Sequence, residues 1–263
     1  MYAFELHKAD SIANAAALLA KTGGKPLAGG QSLVAAMKMR LAVPGTLVDL
    51  SGVSELKGIR KEGDAIVIGA MTRHAEVGAS DVVKKAIPAL SSLAEGIGDR
   101  QVRNMGTLGG ALANNDPAAC YPAAVLGLGA TVNTNKRSIA ADDFFKGMFE
   151  TALQTGEIIV SVSFPVPKRA AYIKFKNPAS RYAIVGVMAA ATGKGVRVAV
   201  TGAASCVFRV AEMERALTAK WSPDAVAGIS VPAGTLNSDL HASAEYRAHL
   251  VSVMARRAVA AAS

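Results

Sequence analysis

Two glycine-centred segments hold the residues of this chain that are best suited to binding chemistry. Each places two adjacent glycines beside a hydroxyl residue at the end of an apolar run: Ala28-Gly29-Gly30-Gln31-Ser32-Leu33 and Thr107-Leu108-Gly109-Gly110-Ala111. Glycine lacks a Cβ and permits positive φ, so backbone N–H groups in such turns can approach a ligand closely. Successive N–H groups form an anion-binding nest, to which the hydroxyls can add donors. Together the segments predict a site that binds the two phosphates of one diphosphate.

Short helices and strands must position the first segment. A helix capped by Ser11 is predicted up to Gly23-Gly24, because apolar residues recur at helical spacing. A strand at Pro26 and Leu27 enters the segment, and a helix over 34–40 leaves it. Further elements are predicted as strands at 46–50, 65–69, 130–133 and 158–164, and as helices over 117–128 and over 81–98 with a break at Pro88.

Pro165 and Pro167 mark a linker, so we place a domain boundary there, with residues 1–166 before it and 167–263 after it. The first part divides into subdomains of about 1–55 and 56–166. Beyond the linker the pattern predicts strands at 172–176, 183–190 and 196–202 and helices at 210–219 and 243–262. The last helix is predicted to pack Tyr246, Leu250, Val253 and Met254 against a sheet.

Composition excludes several classes of protein. The net charge is +9, but the basic residues are scattered and lack interleaved aromatics, which argues against a nucleic-acid platform. Two cysteines cannot build a disulfide framework, a cysteine-rich zinc site or an iron–sulfur cluster. Neither a secretory signal nor a spanning apolar run is recognisable, which predicts a soluble, cytoplasmic chain.

The chain offers no catalytic constellation of its own. The dinucleotide fingerprint G-x-G-x-x-G fails at Val132, and the phosphate loop fails because Gly195 follows Lys194. The four histidines lack metal-ligand spacing, and His74 has no assignable role. We therefore assign no catalytic or metal-binding residue and expect a bound cofactor to carry the chemistry.

A family resemblance runs through these segments in order. Residues 28–40 resemble the first FAD-binding loop of the medium, flavoprotein subunits of molybdenum hydroxylases, the carbon monoxide dehydrogenase and xanthine dehydrogenase family. Further matches are Ile68–Thr72, Gly98–Gly110, Asn115–Ala119, Gly156–Ile159, Phe175–Gly186 and Ala244–Leu250. The resemblance covers essentially the whole chain, and the six matches up to Gly186, in the right order and spacing, are highly specific.

The resemblance implies an α+β fold: a two-subdomain FAD-binding region of the vanillyl-alcohol-oxidase-like type, then a C-terminal antiparallel sheet with helices. It implies that Ala28–Ser32 and Thr107–Ala111 hold the FAD diphosphate, with Leu33 and Leu108 in the same loops. Ile97, Asp116 and Ile159 would lie along the cofactor. Lys174 and Tyr182 would approach the isoalloxazine ring, although a solvated charge and a core tyrosine are the plainer alternatives.

One position departs from the family pattern. Cys120 stands where the family usually has an acid that accepts hydrogen bonds from ribityl or ribose hydroxyls. A thiol is a weaker acceptor, and losing such a contact costs on the order of 1–3 kcal/mol of affinity. Either FAD binding is weaker here, or Cys120 packs as a small apolar residue.

The resemblance implies an electron-transfer subunit. A large molybdenum-cofactor subunit and a small [2Fe–2S] subunit would be its partners, in a dimer of heterotrimers, and electrons would pass through FAD to an external acceptor. Two alternatives remain: a self-sufficient FAD oxidoreductase of the same fold, and a nucleotide-binding assembly module without redox activity.

Overall fold

Three larger β-sheets, one two-stranded sheet and the helices packed on them build the chain, in a computed structural model that describes residues 1–262. The strands are β1 (Glu5–Lys8), β2 (Lys25–Leu27), β3 (Thr46–Asp49), β4 (Ile59–Glu62), β5 (Ala65–Gly69), β6 (Thr131–Thr134), β7 (Ser138–Ala140), β8 (Phe145–Gly147), β9 (Glu150–Thr151), β10 (Ile159–Pro165), β11 (Arg169–Lys176), β12 (Ala183–Thr192), β13 (Gly195–Thr201) and β14 (Phe208–Arg209). The helices are α1 (Ile12–Thr22), α2 (Leu33–Lys38), α3 (His74–Ala79), α4 (Asp81–Ala86), α5 (Pro88–Glu95), α6 (Arg100–Met105), α7 (Leu108–Asn114), α8 (Tyr121–Gly127), α9 (Ala141–Phe144), α10 (Ala211–Ala219) and α11 (Ala244–Ala261).

The first sheet is parallel, in the order β1-β3-β2, and carries the first glycine segment at the end of β2. Helix α1 begins where the Ser11 side chain accepts a hydrogen bond from the N–H of Asn14, and it ends at Gly23 in the left-handed conformation. Its buried residues Ala15 and Leu19 join Val48 and Leu50 in a small core. The sheet therefore holds the end of β2 in a fixed place.

The second sheet is antiparallel, in the order β4-β5-β10-β6-β7, and helices α3 to α8 pack beside it. The pattern around Pro88 is confirmed as two short helices, because α4 ends at Ala86 and α5 begins at Pro88. This part holds the largest buried cluster, which includes Leu90, Leu112 and Tyr121.

The third sheet is antiparallel, in the order β11-β12-β13-β14, and α11 packs against it, as the sequence predicts. Leu250 and Met254 are buried there, whereas Tyr246 is 43% exposed and lies outside the buried face. Arg247 takes its place, donating hydrogen bonds to the carbonyls of Ile184 and Gly202. Tyr246 packs edge-on against Phe175 of β11 instead of entering the core, because Arg247 occupies the buried side of that turn.

Three elements between the sheets differ from the sequence prediction. The second glycine segment is the first turn of α7 rather than an open loop, with Thr107 as its N-cap. Helix α6 was not predicted, and α8 begins at Tyr121, later than the predicted start at residue 117. No helix within residues 1–262 combines the length and hydropathy needed to cross a membrane.

A buried carboxylate ties the second sheet to the loop before β10. Glu157 accepts hydrogen bonds from Arg137 (Nε, 3.0 Å), from the hydroxyl of Thr134 (2.8 Å) and from the N–H of Gln154 (2.8 Å). The bonds from Arg137 lower the pKa of Glu157 to about 2, although burial opposes the shift. The folded chain therefore strongly prefers the ionised carboxylate.

We predict that Glu157→Gln lowers the free energy of unfolding by about 2 kcal/mol at pH 7, because an amide cannot reproduce these charge-assisted bonds. The folded pKa lies below the unfolded value of 4.5, so the stabilisation is present above pH 4.5 and is lost as pH falls towards 2. Urea unfolding between pH 7 and pH 3 tests this. Equal pH dependence in both proteins would contradict it, and the exposed Glu212→Gln serves as the control.

Candidate functional site

A cavity of about 420 Å³ opens between the three sheets and gathers nearly all the residues that the sequence singles out. Its walls come from the end of β2, the start of α7, the N-terminal side of α8 and the turn between β11 and β12. The predicted residues that line it are Ala28, Gly29, Gly30, Gln31, Ser32, Leu33, Ile97, Thr107, Gly109, Gly110, Ala111, Asp116, Cys120, Ile159, Lys174 and Tyr182. Leu108 does not line it, because its side chain is fully buried in the core.

The first glycine segment presents free backbone donors. Gly30 has a φ of +70°, and its carbonyl accepts a hydrogen bond from the N–H of Val34 as the chain enters α2. Within residues 1–262, no protein group accepts a hydrogen bond from the N–H groups of residues 28–33. Consecutive unpaired N–H groups along a cavity wall form the nest that binds an anion.

The second glycine segment contributes close packing rather than free N–H groups. The N–H of Leu108 donates to Thr72, that of Gly109 to Ala70, and that of Gly110 to the Thr107 hydroxyl. The N–H of Ala111 closes the first helical turn on the Thr107 carbonyl. These donors are therefore used by the helical turn and by Ala70 and Thr72, which follow β5, and the binding of a diphosphate by this segment stays a prediction.

Three of the four paired glycines lie too close to neighbouring atoms for a side chain, two of them against backbone atoms. A Cβ at Gly29 would overlap the carbonyl oxygen of Met105, and one at Gly109 would lie 2.5 Å from the Ala70 Cβ. A Cβ at Gly110 would lie 2.9 Å from the Thr107 hydroxyl oxygen and 3.3 Å from the Ala28 Cβ. The two segments thus form one continuous wall of the cavity.

Lys174 closes the opposite side of the cavity. Its Nζ donates hydrogen bonds to the carbonyls of Gly96 (2.8 Å) and Arg181 (2.9 Å) and to the thiol sulfur of Cys120 (3.4 Å). These three acceptors use all three protons of an ammonium group. Lys174 therefore joins α5, the β11–β12 turn and the start of α8.

Tyr182 and Asp116 lie near each other at this wall. Tyr182 follows Arg181, whose φ is +62°, in the turn between β11 and β12. Burial raises the pKa of the Tyr182 hydroxyl, and the charge of Asp116 adds to that shift. Asp116 accepts a hydrogen bond from the N–H of Ala118 (2.8 Å), which fixes the turn that leads to Cys120.

His74 also lines the cavity, although its sequence context gave no signal for it. The imidazole is almost fully buried, lies 5.3 Å from the Tyr121 ring, and its Nε2 would be 2.6 Å from a Cβ at Gly106. Burial, with a smaller effect from Arg103, lowers the pKa of His74 to about 4. The ring is therefore neutral at pH 7 and adds no charge to the cavity.

The cavity is suited to binding a ligand rather than to acid–base catalysis. Among the described residues, no cluster of histidine, cysteine or carboxylate side chains could hold a metal ion. Burial keeps the His74 ring and the Tyr182 hydroxyl neutral at pH 7, and the ionised Glu157 is already paired with Arg137. The chemical features that remain are an anion nest and an extended, largely apolar space, which suit a nucleotide cofactor.

Comparison with known proteins agrees with this geometry. Residues 2–167 match the family described as FAD binding domain in molybdopterin dehydrogenase, and residues 170–262 match the CO dehydrogenase flavoprotein C-terminal domain. The chain belongs to this family of flavoprotein medium subunits.

Two relatives with different names illustrate the breadth of the family. The chain is 39% identical to the carbon monoxide dehydrogenase medium chain of Afipia carboxidovorans, over 97% of this chain and 95% of that one. It is 34% identical to the glyceraldehyde dehydrogenase medium chain of Sulfolobus acidocaldarius, over 97% and 96%. A chain in the crystal structure of carbon monoxide dehydrogenase from Hydrogenophaga pseudoflava superposes with a TM-score of 0.90 at 34% identity, covering 99% of this chain and 97% of that one. The predicted family, α+β fold and FAD-binding domain are thereby confirmed.

We predict that Gly29→Ala weakens FAD binding about tenfold or more, because the new methyl group pushes the nest away from the backbone at Met105. The far-UV circular dichroism should stay near that of the wild type. Flavin titration of the apoprotein measures the change. Gly228→Ala is the matched control, since a Cβ there meets nothing within 4 Å. Equal affinity of the two variants would contradict the assignment of the nest.

Cys120→Asp tests the departure from the family pattern. A carboxylate at this position is a strong hydrogen-bond acceptor that faces the cavity beside Lys174, so we expect FAD to bind about tenfold more tightly. Cys120→Ala keeps a small apolar group and is expected to bind FAD as the wild type does. Flavin titration of both variants provides the test, and an unchanged affinity for Asp would show that residue 120 only packs.

Proposed function

We propose that this chain is the FAD-binding electron-transfer subunit of a molybdenum-containing hydroxylase or dehydrogenase. The observation that carries the proposal is the row of unpaired N–H groups at residues 28–33 on the wall of the cavity. That row matches the anionic diphosphate of FAD, and the apolar remainder of the cavity matches its ring systems. Residues 1–166 form the FAD-binding region in this proposal, and residues 167–263 form the C-terminal domain.

Each cavity residue has a part in this proposal. Residues 28–33 bind the diphosphate through their N–H groups, and the Thr107 hydroxyl faces them from the start of α7. Ile97 and Ile159 supply apolar contacts along the cofactor. Tyr182 covers the ring system, while Lys174 acts chiefly by holding the wall, because its protons are already bonded to protein acceptors.

The partners supply the chemistry that this chain lacks. Cys120 and Cys206 are its only cysteines, too few for an iron–sulfur cluster. The relatives carry the names of medium chains of dehydrogenases, which supports a small [2Fe–2S] subunit and a large molybdenum-cofactor subunit as partners in a dimer of heterotrimers. FAD, when bound, accepts electrons one at a time and passes them on in pairs.

Native purification tests this function. We expect the complex to contain flavin, iron and molybdenum, with the iron held in [2Fe–2S] clusters on a partner subunit. The separated chain should retain flavin absorbance and lack hydroxylase activity. A flavin-containing chain that purifies alone and oxidises a substrate unaided would instead support the self-sufficient oxidoreductase. A colourless chain that takes up no FAD would support the assembly module.

A further inference from the structure

The Cys120 thiol lies among hydrogen-bond donors that a sulfur atom satisfies poorly. Its side chain is almost fully buried and lines the cavity. Lys174 donates to the sulfur at 3.4 Å, while its other two bonds go to the carbonyl oxygens of Gly96 and Arg181. A thiol is a weak acceptor, so the bond to Cys120 is the weakest of the three.

A second donor beside the thiol has no partner. Tyr172 and Lys174 lie on the same face of β11, because side chains two residues apart in a strand point the same way. The Tyr172 hydroxyl is buried, and no group in residues 1–262 forms an aligned hydrogen bond with it. Burial raises the pKa of this hydroxyl, and the neighbouring Cys120 adds to the shift. The hydroxyl therefore keeps its proton at pH 7 and faces the thiol as an unused donor.

The packing fixes the Tyr172 hydroxyl in this place. Gly186 lies on β12 opposite Lys174, and a Cβ there would overlap the hydroxyl oxygen of Tyr172. The hydroxyl of Tyr121, on a fully buried side chain next to Cys120, also lacks a partner within residues 1–262. Buried donors without acceptors cost free energy and are rare in folded proteins. Two of them close to one thiol indicate that an acceptor group is missing there.

An anionic oxygen suits these donors better than a neutral acceptor does. The three partners of Lys174 are two carbonyls and a thiol, so none of them is an anion. An oxygen anion on the side chain of residue 120 would accept a charge-assisted bond from Lys174 and a further bond from the Tyr172 hydroxyl. The chain can place oxygen atoms at this position by oxidation of the cysteine itself.

We propose that Cys120 is a modification site, at which hydrogen peroxide converts the thiol into a sulfinate held by Lys174 and Tyr172. Each of two peroxide molecules transfers one oxygen atom to the sulfur, first giving the sulfenic acid and then the sulfinic acid. In each step the O–O bond breaks, an S–O bond forms, the sulfur loses two electrons and one water is released. The sulfinic acid then gives its proton to solvent, and its negative charge stays beside the ammonium group of Lys174.

The sulfinate also changes the cavity, and this consequence rests on the proposed function above. Cys120 lines the cavity, so oxygen lone pairs that Lys174 and Tyr172 leave free can accept hydrogen bonds from hydroxyl groups of a bound dinucleotide. Oxidation is therefore expected to tighten FAD binding, in the same direction as Cys120→Asp.

Peroxide treatment of the purified full chain, followed by mass spectrometry of its peptides, tests the site. We expect Cys120 to gain two oxygen atoms. Cys206 is the control within the same chain, because it is more exposed than Cys120 and its sulfur accepts from the neutral amide of Asn115 at 3.6 Å. Oxidation of Cys206 alone, or of both cysteines to the same extent, would overturn the proposal, since exposure would then decide the reaction.

Tyr172→Phe tests the donors that would hold the sulfinate. The change removes only an unpartnered hydroxyl, so the Tm of the untreated protein should be equal or higher. Peroxide should raise the Tm of the wild type and increase its FAD affinity about tenfold, and both gains should be smaller in Tyr172→Phe. Tyr246→Phe, at a side chain that is 43% exposed, is the matched control and should respond as the wild type does. Equal gains in the wild type and Tyr172→Phe would overturn the proposal.

Flavin titration separates this proposal from the function on which its consequence rests. Cys120→Ala has no sulfur at this position, so peroxide should leave its FAD affinity unchanged. If the wild type binds FAD equally well before and after oxidation of Cys120, the effect on the cavity is overturned and the FAD-binding function stands. If it binds no FAD in either state, the proposed function fails, while the peptide masses and the Tm still decide whether Lys174 and Tyr172 stabilise a sulfinate.

Discussion

The contact of backbone against backbone at the glycines is the constraint on which the site depends. Gly29 abuts the Met105–Gly106 peptide, and Gly109 abuts Ala70, so the first sheet, α6, α7 and the second sheet meet with no side chain between them. This closeness turns two remote parts of the sequence into one wall. It also leaves the N–H groups of residues 28–33 unpaired, because residues 28–32 lie between β2 and α2 and Leu33 is the first residue of α2.

The far side of the cavity depends on a different interaction. Lys174 extends from β11 and offers its three protons to Gly96, Arg181 and Cys120, which belong to three separate parts of the chain. Two of these acceptors lie in the FAD-binding region and one in the C-terminal domain, so the lysine joins the two. While these bonds persist, Lys174 has no free proton to donate to a ligand. Its main role is therefore to close this side of the cavity.

Sequence patterns predicted most of the framework and part of the site. Helix α1, the break at Pro88 and the antiparallel strands after the linker follow from capping residues, proline and alternation. The second glycine segment was predicted as a loop because glycine pairs disfavour helices, whereas Ala70 and Thr72 accept its donors and fix a helical turn. His74 could not be recognised, since its burial and lowered pKa depend on Arg103, Gly106 and Tyr121, which only the fold brings near.

The distribution of features in this chain argues for a division of labour among subunits. Relatives named for carbon monoxide and for glyceraldehyde share its length and architecture, so the fold itself does not encode a substrate. The cavity agrees, because residues 28–33 offer donors for an anion, His74 is neutral and Glu157 is already paired with Arg137. The proposed nest for a diphosphate is independent of the substrate. The close contacts of Gly29 and Gly109 therefore shape the cavity for a cofactor rather than for one substrate.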